Sequence, residues 1–151
     1  ARRTWWLKAG IYISSAYMIF TIFNKFYIDD VFKKSFIKGG IAYNRFSAQP
    51  TILNNILWYA VAETDKNYHF TFYSLLDTSS ISEKIITIKK QHDLIDMDTG
   101  NLKTLTWFSN NYFNISKKEK VGTYKYVDLR YPMLNPEDAN TSVFNFTIYN
   151  I

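Results

Sequence analysis

The chain has 151 residues, of which 19% are aromatic and 21% are charged, and its formal net charge is +5. This composition excludes an intrinsically disordered chain and is typical of one globular domain that buries about 70% of its unfolded surface. Cysteine is absent, which excludes disulfides, thiolate zinc sites and cysteine nucleophiles. The basic excess is spread along the chain, so we expect a solvated or lipid-facing surface and no nucleic acid partner.

A long helix is predicted at the N-terminus, from Thr4 to about Lys38, where Gly39 and Gly40 end it. Sixteen uncharged residues lie between Lys8 and Lys25, fewer than the ~20 that a membrane-spanning helix needs. We therefore predict that residues 1–40 form an amphipathic, juxtamembrane helix that belongs to the same domain as the rest of the chain. A polar stripe is expected at Ser14, Thr21, Lys25, Asp29 and Lys33. The broad apolar face opposite, which we expect to meet a sheet, contains Ile13, Tyr17, Phe20, Phe23, Tyr27 and Phe36.

The first turns of this helix supply candidate membrane-interface residues. Tryptophan beside basic residues suits the headgroup region of a bilayer. The helix would also be about 50 Å long, more than one small sheet can cover. The alternative is that both tryptophans lie in the hydrophobic core. The candidate residues are Arg2, Arg3, Trp5 and Trp6.

An antiparallel sheet is predicted for residues 41–151, which begin with a polar turn around residues 45–50. A hairpin lies at its centre, because two runs rich in aromatic and β-branched residues flank the turn-forming residues 63–67. Both faces of the first run are apolar, so we expect that strand to be covered on both sides. One face of the second run is more polar. Further strands are predicted over 81–89, 112–116, 122–131 and 142–149, with a short helix near 101–110.

The predicted fold class is therefore α+β, with the long N-terminal amphipathic helix packed on an antiparallel sheet of about five to six strands. A cone-shaped arrangement, as in cystatin-like and nuclear-transport-factor-2-like folds, is one form of this class. No change of composition marks a second domain.

No pattern in the sequence predicts catalytic residues, metal ligands or a cofactor. The cluster from Gln91 to Asp98 lacks the spacing of a calcium loop. A transition-metal site at His92 would need a second histidine nearby, and the only other one is His69. We expect a polar turn at this cluster.

Three strings resemble a known family: PTILNNILWYAVAETDKNYHFTFYSLLD at residues 50–77, LKTLTWFSNNYF at 102–113 and VDLRY at 127–131. They are similar to the C-terminal, extramembrane part of the LexA-binding, inner-membrane-associated metal-dependent hydrolase family. The resemblance implies that membrane-spanning helices precede Ala1 and are the partner of this domain. It also implies an inner-membrane protein, and the basic pair at the N-terminus suggests that the domain lies on the cytoplasmic face. The family's metal-binding His and Asp residues are implied to lie in its membrane-embedded half, where nothing in this chain matches them.

The last of these strings also contains a candidate docking face. On a strand over residues 124–131, Val127, Leu129 and Tyr131 would meet the core. Aromatic residues beside arginine are enriched at protein interfaces. The alternative is an ordinary exposed ion pair between Asp128 and Arg130. The predicted docking residues are Tyr124, Tyr126, Asp128 and Arg130.

Two functions from different classes remain open. The preferred hypothesis is a non-catalytic accessory, docking or sensing domain of a membrane-bound metal-dependent hydrolase. The alternative is a domain, or an enzyme, that binds a small apolar ligand or a lipid in a pocket between helix and sheet. The sequence identifies no ligand.

Overall fold

A computed structural model describes residues 2–51, 55–95, 100–118, 120–132, 142 and 144–149, apart from the side chains of residues 2, 100 and 101. The strands within these ranges form two antiparallel sheets: sheet 1 in the order β1-β2-β3-β4 and sheet 2 in the order β5-β6-β7. The predicted α+β class is confirmed, and neither sheet closes into a barrel. The elements are α1 (Arg2–Lys38), β1 (Arg45–Pro50), β2 (Leu57–Glu63), β3 (Asn67–Ser74), β4 (Ile85–Lys89), α2 (Gly100–Phe108), β5 (Phe113–Lys117), β6 (Thr123–Asp128) and β7 (Asn145–Tyr149).

Helix α1 ends where the paired glycines predict. Gly40 has a φ of 69°, a left-handed conformation that glycine adopts without a Cβ penalty. Its N–H donates to the Ile37 carbonyl over 3.0 Å, and the Ile41 N–H donates to the Phe36 carbonyl over 2.9 Å. This pair of bonds is a Schellman motif. The chain therefore turns back sharply, and β1 runs antiparallel to the end of the helix.

The C-terminal half of α1 packs on one face of sheet 1. Ile28, Val31, Phe32 and Phe36 are at most 2% exposed. They occupy positions i, i+3, i+4 and i+8, which lie on one side of an α-helix. Small side chains on the sheet let these bulky residues approach closely, since Ala48 is paired with Ala60 in neighbouring strands. The layer opposite the helix consists of Ala48, Trp58, Ala60, Ala62 and Tyr73.

The other face of sheet 1 packs against sheet 2. Tyr59, Val61 and Phe70 from sheet 1 form one buried cluster with Val127 and Leu129. The Tyr59 hydroxyl donates to the Leu129 carbonyl oxygen over 2.9 Å. Strand β2 is thus covered on both sides, as its two apolar faces predict.

The arrangement of the strands differs from the prediction in two respects. Residues 45–50 form strand β1, where we predicted a polar turn. Among the described strands, β1 pairs only with β2, and Pro50 stands at its end, a position that needs no donor for the ladder. The strands also divide between two sheets of four and three strands, where the sequence predicted one sheet. The hairpin and the short helix near 101–110 are confirmed.

The docking of α1 can be tested with two phenylalanines of the same helix. Phe32→Ala should lower the free energy of unfolding by about 3–5 kcal/mol, because it removes a ring that is 0% exposed. Phe20→Ala should change it by less than about 0.5 kcal/mol, because that ring is 55% exposed. Chemical denaturation in a mild detergent measures both. Equal losses would contradict this packing.

Candidate functional site

The N-terminal half of α1 is exposed and apolar on every side. We call residues 4–23 the apolar arm. Ile11, Tyr12 and Ile13 are 66%, 73% and 71% exposed, and consecutive helical residues point about 100° apart. Each residue of a second apolar run is also more than half exposed: Tyr17, Met18, Ile19 and Phe20. The two runs together point in every direction around the helix axis, so no side of the arm is polar overall.

This exposure corrects the prediction of one amphipathic helix with a continuous apolar face against a sheet. Ile13, Phe20 and Phe23 of the predicted face are 71%, 55% and 69% exposed, because no strand in the described part of the chain reaches that far along α1. Phe36 is buried as predicted, and Tyr27 is half-exposed. The amphipathic description therefore applies only to the C-terminal half of the helix.

The N-terminal end of the apolar arm, which we call its outer end, contains the predicted interface residues. Trp5 and Trp6 are 61% and 62% exposed, so the alternative that they lie in the core is wrong. Their rings are 4.7 Å apart in an edge-to-face contact. Arg3 is exposed, whereas the side chain of Arg2 lies outside the described residues. Their contact with a membrane stays a prediction.

Polar contacts begin at the inner end of the arm. The Asn24 side chain donates to the Asn55 carbonyl oxygen over 3.1 Å. The Lys25 ammonium donates to Asp29 over 2.5 Å and to the Ala48 carbonyl oxygen over 2.9 Å. These bonds attach the helix to β1 and to the β1–β2 loop at the level where apolar exposure gives way to core packing.

The predicted docking face is only partly accessible. Tyr126 and Asp128 are 0% exposed because α2 covers this face of sheet 2: the Ser109 hydroxyl, just after α2, lies 2.6 Å from the Tyr126 hydroxyl. Tyr124 is half-buried and Arg130 is partly exposed. The alternation predicted over 124–131 fails because β6 ends at Asp128 and a turn follows. Docking through Tyr124 and Arg130 stays a prediction.

Asp128 and Arg130 form a largely buried ion pair, in which the Asp128 side chain is 0% and the Arg130 side chain 21% exposed, so the alternative of an exposed pair is wrong. The Arg130 guanidinium donates to the Asp128 carboxylate over 2.7 Å, and the Arg130 backbone N–H donates to it over 3.0 Å. These hydrogen bonds raise the pKa of Arg130 above its usual value. The guanidinium also lies 5.1 Å from the Phe108 ring centroid, an attractive cation–π distance. The pair therefore fixes the turn after β6.

A second ionic cluster, not predicted from the sequence, lies at the end of sheet 1 remote from the apolar arm. Glu63 accepts hydrogen bonds from Arg45 and, over 2.6 Å, from Lys90. Burial raises the pKa of Glu63, but the bonds from Lys90 and Arg45 outweigh it and hold the pKa below its usual value. Arg45 also donates to the Asn110 carbonyl oxygen over 2.8 Å and lies over the Tyr112 ring. The cluster thereby connects sheet 1 to the chain between α2 and β5.

The two histidines lie on opposite sides of sheet 1 and do not form a common site. His69 Nδ1 is 2.8 Å from the Thr87 hydroxyl. His92 Nε2 is 3.0 Å from the Phe113 carbonyl oxygen and 3.3 Å from the hydroxyl of Tyr68, the strand neighbour of His69. Burial lowers the pKa of both imidazoles, which favours the neutral form. Among the described residues, no group of three His, Cys, Asp or Glu could hold a metal ion; Asp96 and Asp98 lie outside them.

Within the described ranges, one helix, α1, is long and apolar enough by length and composition to cross a membrane. The core helix of a water-soluble protein can meet the same criterion, but such a helix is mostly buried. None of the apolar window of α1 is buried. The apolar arm is therefore the strongest functional feature of the described residues.

Comparison of the chain with models of known protein families, with curated proteins and with solved structures finds no match. The family resemblance therefore rests on the three strings quoted above and stays a prediction.

The ionic cluster gives a prediction about pH. Glu63→Gln should lower the free energy of unfolding by about 2 kcal/mol at pH 7, because it leaves two partly buried cations without their carboxylate. The pKa of Glu63 is lowered in the folded state, so its contribution is present above the unfolded pKa of ~4.3 and is lost as the pH falls through the folded value. The difference between wild type and variant, measured by chemical denaturation, should shrink below about pH 4.

The control variant is Asp30→Asn. Its partner Lys34 lies 2.5 Å away, but the two side chains are 55% and 62% exposed. An exposed pair of this kind contributes about 0–1 kcal/mol. A cost for Glu63→Gln no greater than for Asp30→Asn at pH 7 would show that the cluster does not stabilise the fold.

Proposed function

We propose that this chain is a membrane-attached domain whose apolar arm lies within a lipid bilayer, while the two sheets lie outside it. The observation that carries the proposal is the exposure of apolar side chains around the whole circumference of α1 from Trp5 to Phe23. In water this surface is unfavourable, since burial of each large apolar side chain is worth about 1.5–3 kcal/mol. A lipid environment removes the cost because it surrounds all sides of the helix at once.

The shape of the arm supports insertion across the hydrocarbon region rather than adsorption on its surface. A helix that lies in the interface has one apolar and one strongly polar face, whereas the arm is apolar in every direction. The 16 uncharged residues between Lys8 and Lys25 are fewer than a span needs, but the stretch is longer when Lys8 and the residues before it are included. The 20 residues of the arm then rise about 30 Å, close to the thickness of a bilayer's hydrocarbon region. Lys8 is near the outer end, where its long side chain can reach the headgroups beside Trp5 and Trp6.

The continuity of α1 supports a permanent attachment. A signal sequence near an N-terminus can satisfy the same length and composition criterion. Here, however, the helix continues without interruption from the arm into Ile28, Val31 and Phe32, which are core residues. The same element therefore belongs both to the bilayer and to the folded domain.

The proposed role is that of a non-catalytic accessory, docking or sensing domain of a membrane-bound metal-dependent hydrolase. The family resemblance suggests the partner, which is an upstream membrane-spanning region of the same protein. An arm within the bilayer would lie beside that region. The surface around Tyr124 and Arg130 stays the candidate docking face.

The proposed location is the inner membrane, with the sheets on the cytoplasmic face. Basic residues near the ends of a span favour the cytoplasmic side. Basic residues flank the arm at both ends: Arg2, Arg3 and Lys8 at its N-terminal end, and Lys25, Lys33, Lys34 and Lys38 on the domain side. An arm that crosses the bilayer places Arg2 and Arg3 on the opposite side from the sheets, so the proposed cytoplasmic position of the sheets is supported by the lysines of the domain side.

The alternative of an apolar-ligand carrier has weaker support. Within the described residues, two clefts lie between α1 and the chain packed on it. One has a volume of ≈ 250 Å³ and is lined by Ser35, Lys38, Gly39, Ile81, Ser82, Glu83 and Ile85. The other has a volume of ≈ 400 Å³, but its lining is mostly polar and consists of Lys25, Asp29, Lys33, Phe46, Ser47 and Ala48. Pockets for small molecules usually occupy about 300–1,000 Å³ and are mainly apolar. The side chains between α1 and the centre of sheet 1 are tightly buried.

Two isoleucines of α1 provide a matched test, because Ile13 and Ile37 are both 71% exposed. Ile13→Arg places a charge near the middle of the arm, at a cost of about 2.5–3.5 kcal/mol on an insertion scale. It should reduce partitioning into vesicles by roughly 100-fold. Ile37→Arg, beyond the proposed bilayer, should leave partitioning unchanged. Co-flotation with vesicles and resistance to alkaline extraction measure both.

Circular dichroism of both variants in detergent controls for loss of fold. Wild-type protein that stays in the aqueous fraction would contradict membrane attachment. So would equal loss of flotation in Ile13→Arg and Ile37→Arg, because the arm would then have no special part in the interaction.

A further inference from the structure

Exposed apolar residues also occur on sheet 1, at the end that faces the apolar arm. We call Ile56, Leu57 and Leu76 the rim. They are 47%, 39% and 79% exposed. Ile56 and Leu57 are at the start of β2 and Leu76 follows β3, and the two segments are joined because the Leu75 N–H donates to the Ile56 carbonyl oxygen over 2.9 Å. The rim is therefore one continuous patch at this end of the two central strands.

Hydrogen bonds hold this end of sheet 1 against α1. The Asn55 side chain donates to the Tyr17 hydroxyl over 2.7 Å. The backbone carbonyl oxygen of Asn55 accepts from the Asn24 side chain over 3.1 Å and from Trp58 Nε1 over 2.9 Å. Beside the rim, the hydroxyls of Tyr27 and Tyr73 are 3.3 Å apart. These hydrogen bonds fix the position of the rim along the axis of α1.

Along the axis of α1, the residues that hold the rim lie beside the C-terminal turns of the arm. Tyr17 lies seven residues from Asn24 towards the outer end, or about 10 Å along the axis. Asn55 contacts both residues, so the chain just before β2 lies beside the last turns of the arm. If those turns enter a bilayer, Asn55 and the rim residues next to it cannot remain in bulk water.

We propose that the rim lies in the headgroup region of the same bilayer and is a second membrane contact of this domain. The inference rests on the proposed function, since the level of the rim is set by the insertion of the arm. Leucine and isoleucine suit the boundary between headgroups and acyl chains. Asn55 and Tyr27 supply polar and amphipathic side chains of the kind found at that depth, and the Tyr17 hydroxyl reaches Asn55 from within the arm.

Two contacts fix an orientation that one helix alone would leave free. The arm prevents translation away from the bilayer, and the rim limits rotation about the point of entry. Strands β2 and β3 then lead away from the membrane, with the turn at residues 63–67 at the distal end. The ionic cluster of Arg45, Glu63 and Lys90 is consequently held away from the lipid.

Fluorescent labels can measure the depth of the rim, because the chain contains no cysteine. Single-cysteine variants Leu76→Cys, Ile13→Cys and Lys66→Cys are labelled with an environment-sensitive nitrobenzoxadiazole dye. The labelled chain is reconstituted into phosphatidylethanolamine–phosphatidylglycerol vesicles that contain lipid with a nitroxide near the headgroup. Lys66 is exposed in the distal turn, about 20 Å or more from the rim along the strands, and is the matched control.

We expect the nitroxide lipid to quench the label at position 76 at least twofold more than the label at position 66. A lipid with its nitroxide deep in the acyl chain should quench position 13 most strongly. Quenching at position 13 without quenching at position 76 would overturn the rim contact and leave the arm in place. Absence of quenching at position 13 would overturn the proposed function and the rim contact together.

Aqueous iodide distinguishes lipid from protein as the cover of the rim. A label at position 76 that is shielded from iodide but is not quenched by nitroxide lipid would lie against a second copy of the chain. That result would also overturn the proposal.

Discussion

The packing of one side of α1 on sheet 1 is the constraint on which the rest of the structure depends. Val31, Phe32 and Phe36 exclude water from the sheet because small residues, Ala60 and Ala62, leave room for their rings. An α-helix is stiff over several turns, since every backbone carbonyl is bonded four residues on. Once its C-terminal half is fixed, the direction of the apolar arm is fixed as well. The fold thereby sets the angle at which the arm leaves the domain.

Sheet 2 adds rigidity at the opposite side of sheet 1. The Asn114 side chain accepts from the Gln91 N–H over 2.7 Å and donates to the Lys89 carbonyl oxygen over 3.1 Å, so that β5 is joined to the end of β4. Glu63 links sheet 1 to the chain before β5 as well, because it binds Arg45, which also donates to the Asn110 carbonyl oxygen. Polar groups that are buried and satisfied in this way specify a single arrangement of the two sheets. The whole domain can then follow α1 as one body.

The sequence contains enough local information to predict the helix, its glycine end, the central hairpin and the short second helix. It does not predict that Ile13 and Phe20 are exposed. Hydrophobic periodicity shows which side of a helix is apolar, but not whether protein or lipid covers that side, because both environments are apolar. Strand β1 was missed because Arg45–Pro50 is polar and ends in proline, and its strand character comes from pairing with β2. The Glu63 cluster involves residues far apart in sequence, and the burial of Asp128 follows from α2, which no local pattern connects to β6.

Nitroxide scanning of α1 would test most directly whether one helix occupies two surroundings. Single labels are placed at successive positions from residue 9 to residue 37 of the chain in vesicles, and their collisions with oxygen and with a water-soluble nickel complex are measured. We expect every position of the arm from residue 9 to about residue 20 to favour oxygen over nickel, regardless of its direction around the helix. From about residue 24 onwards, both should vary with a period of 3.6 residues, since one side is buried against sheet 1. Free access of the nickel complex around the whole arm would contradict the account.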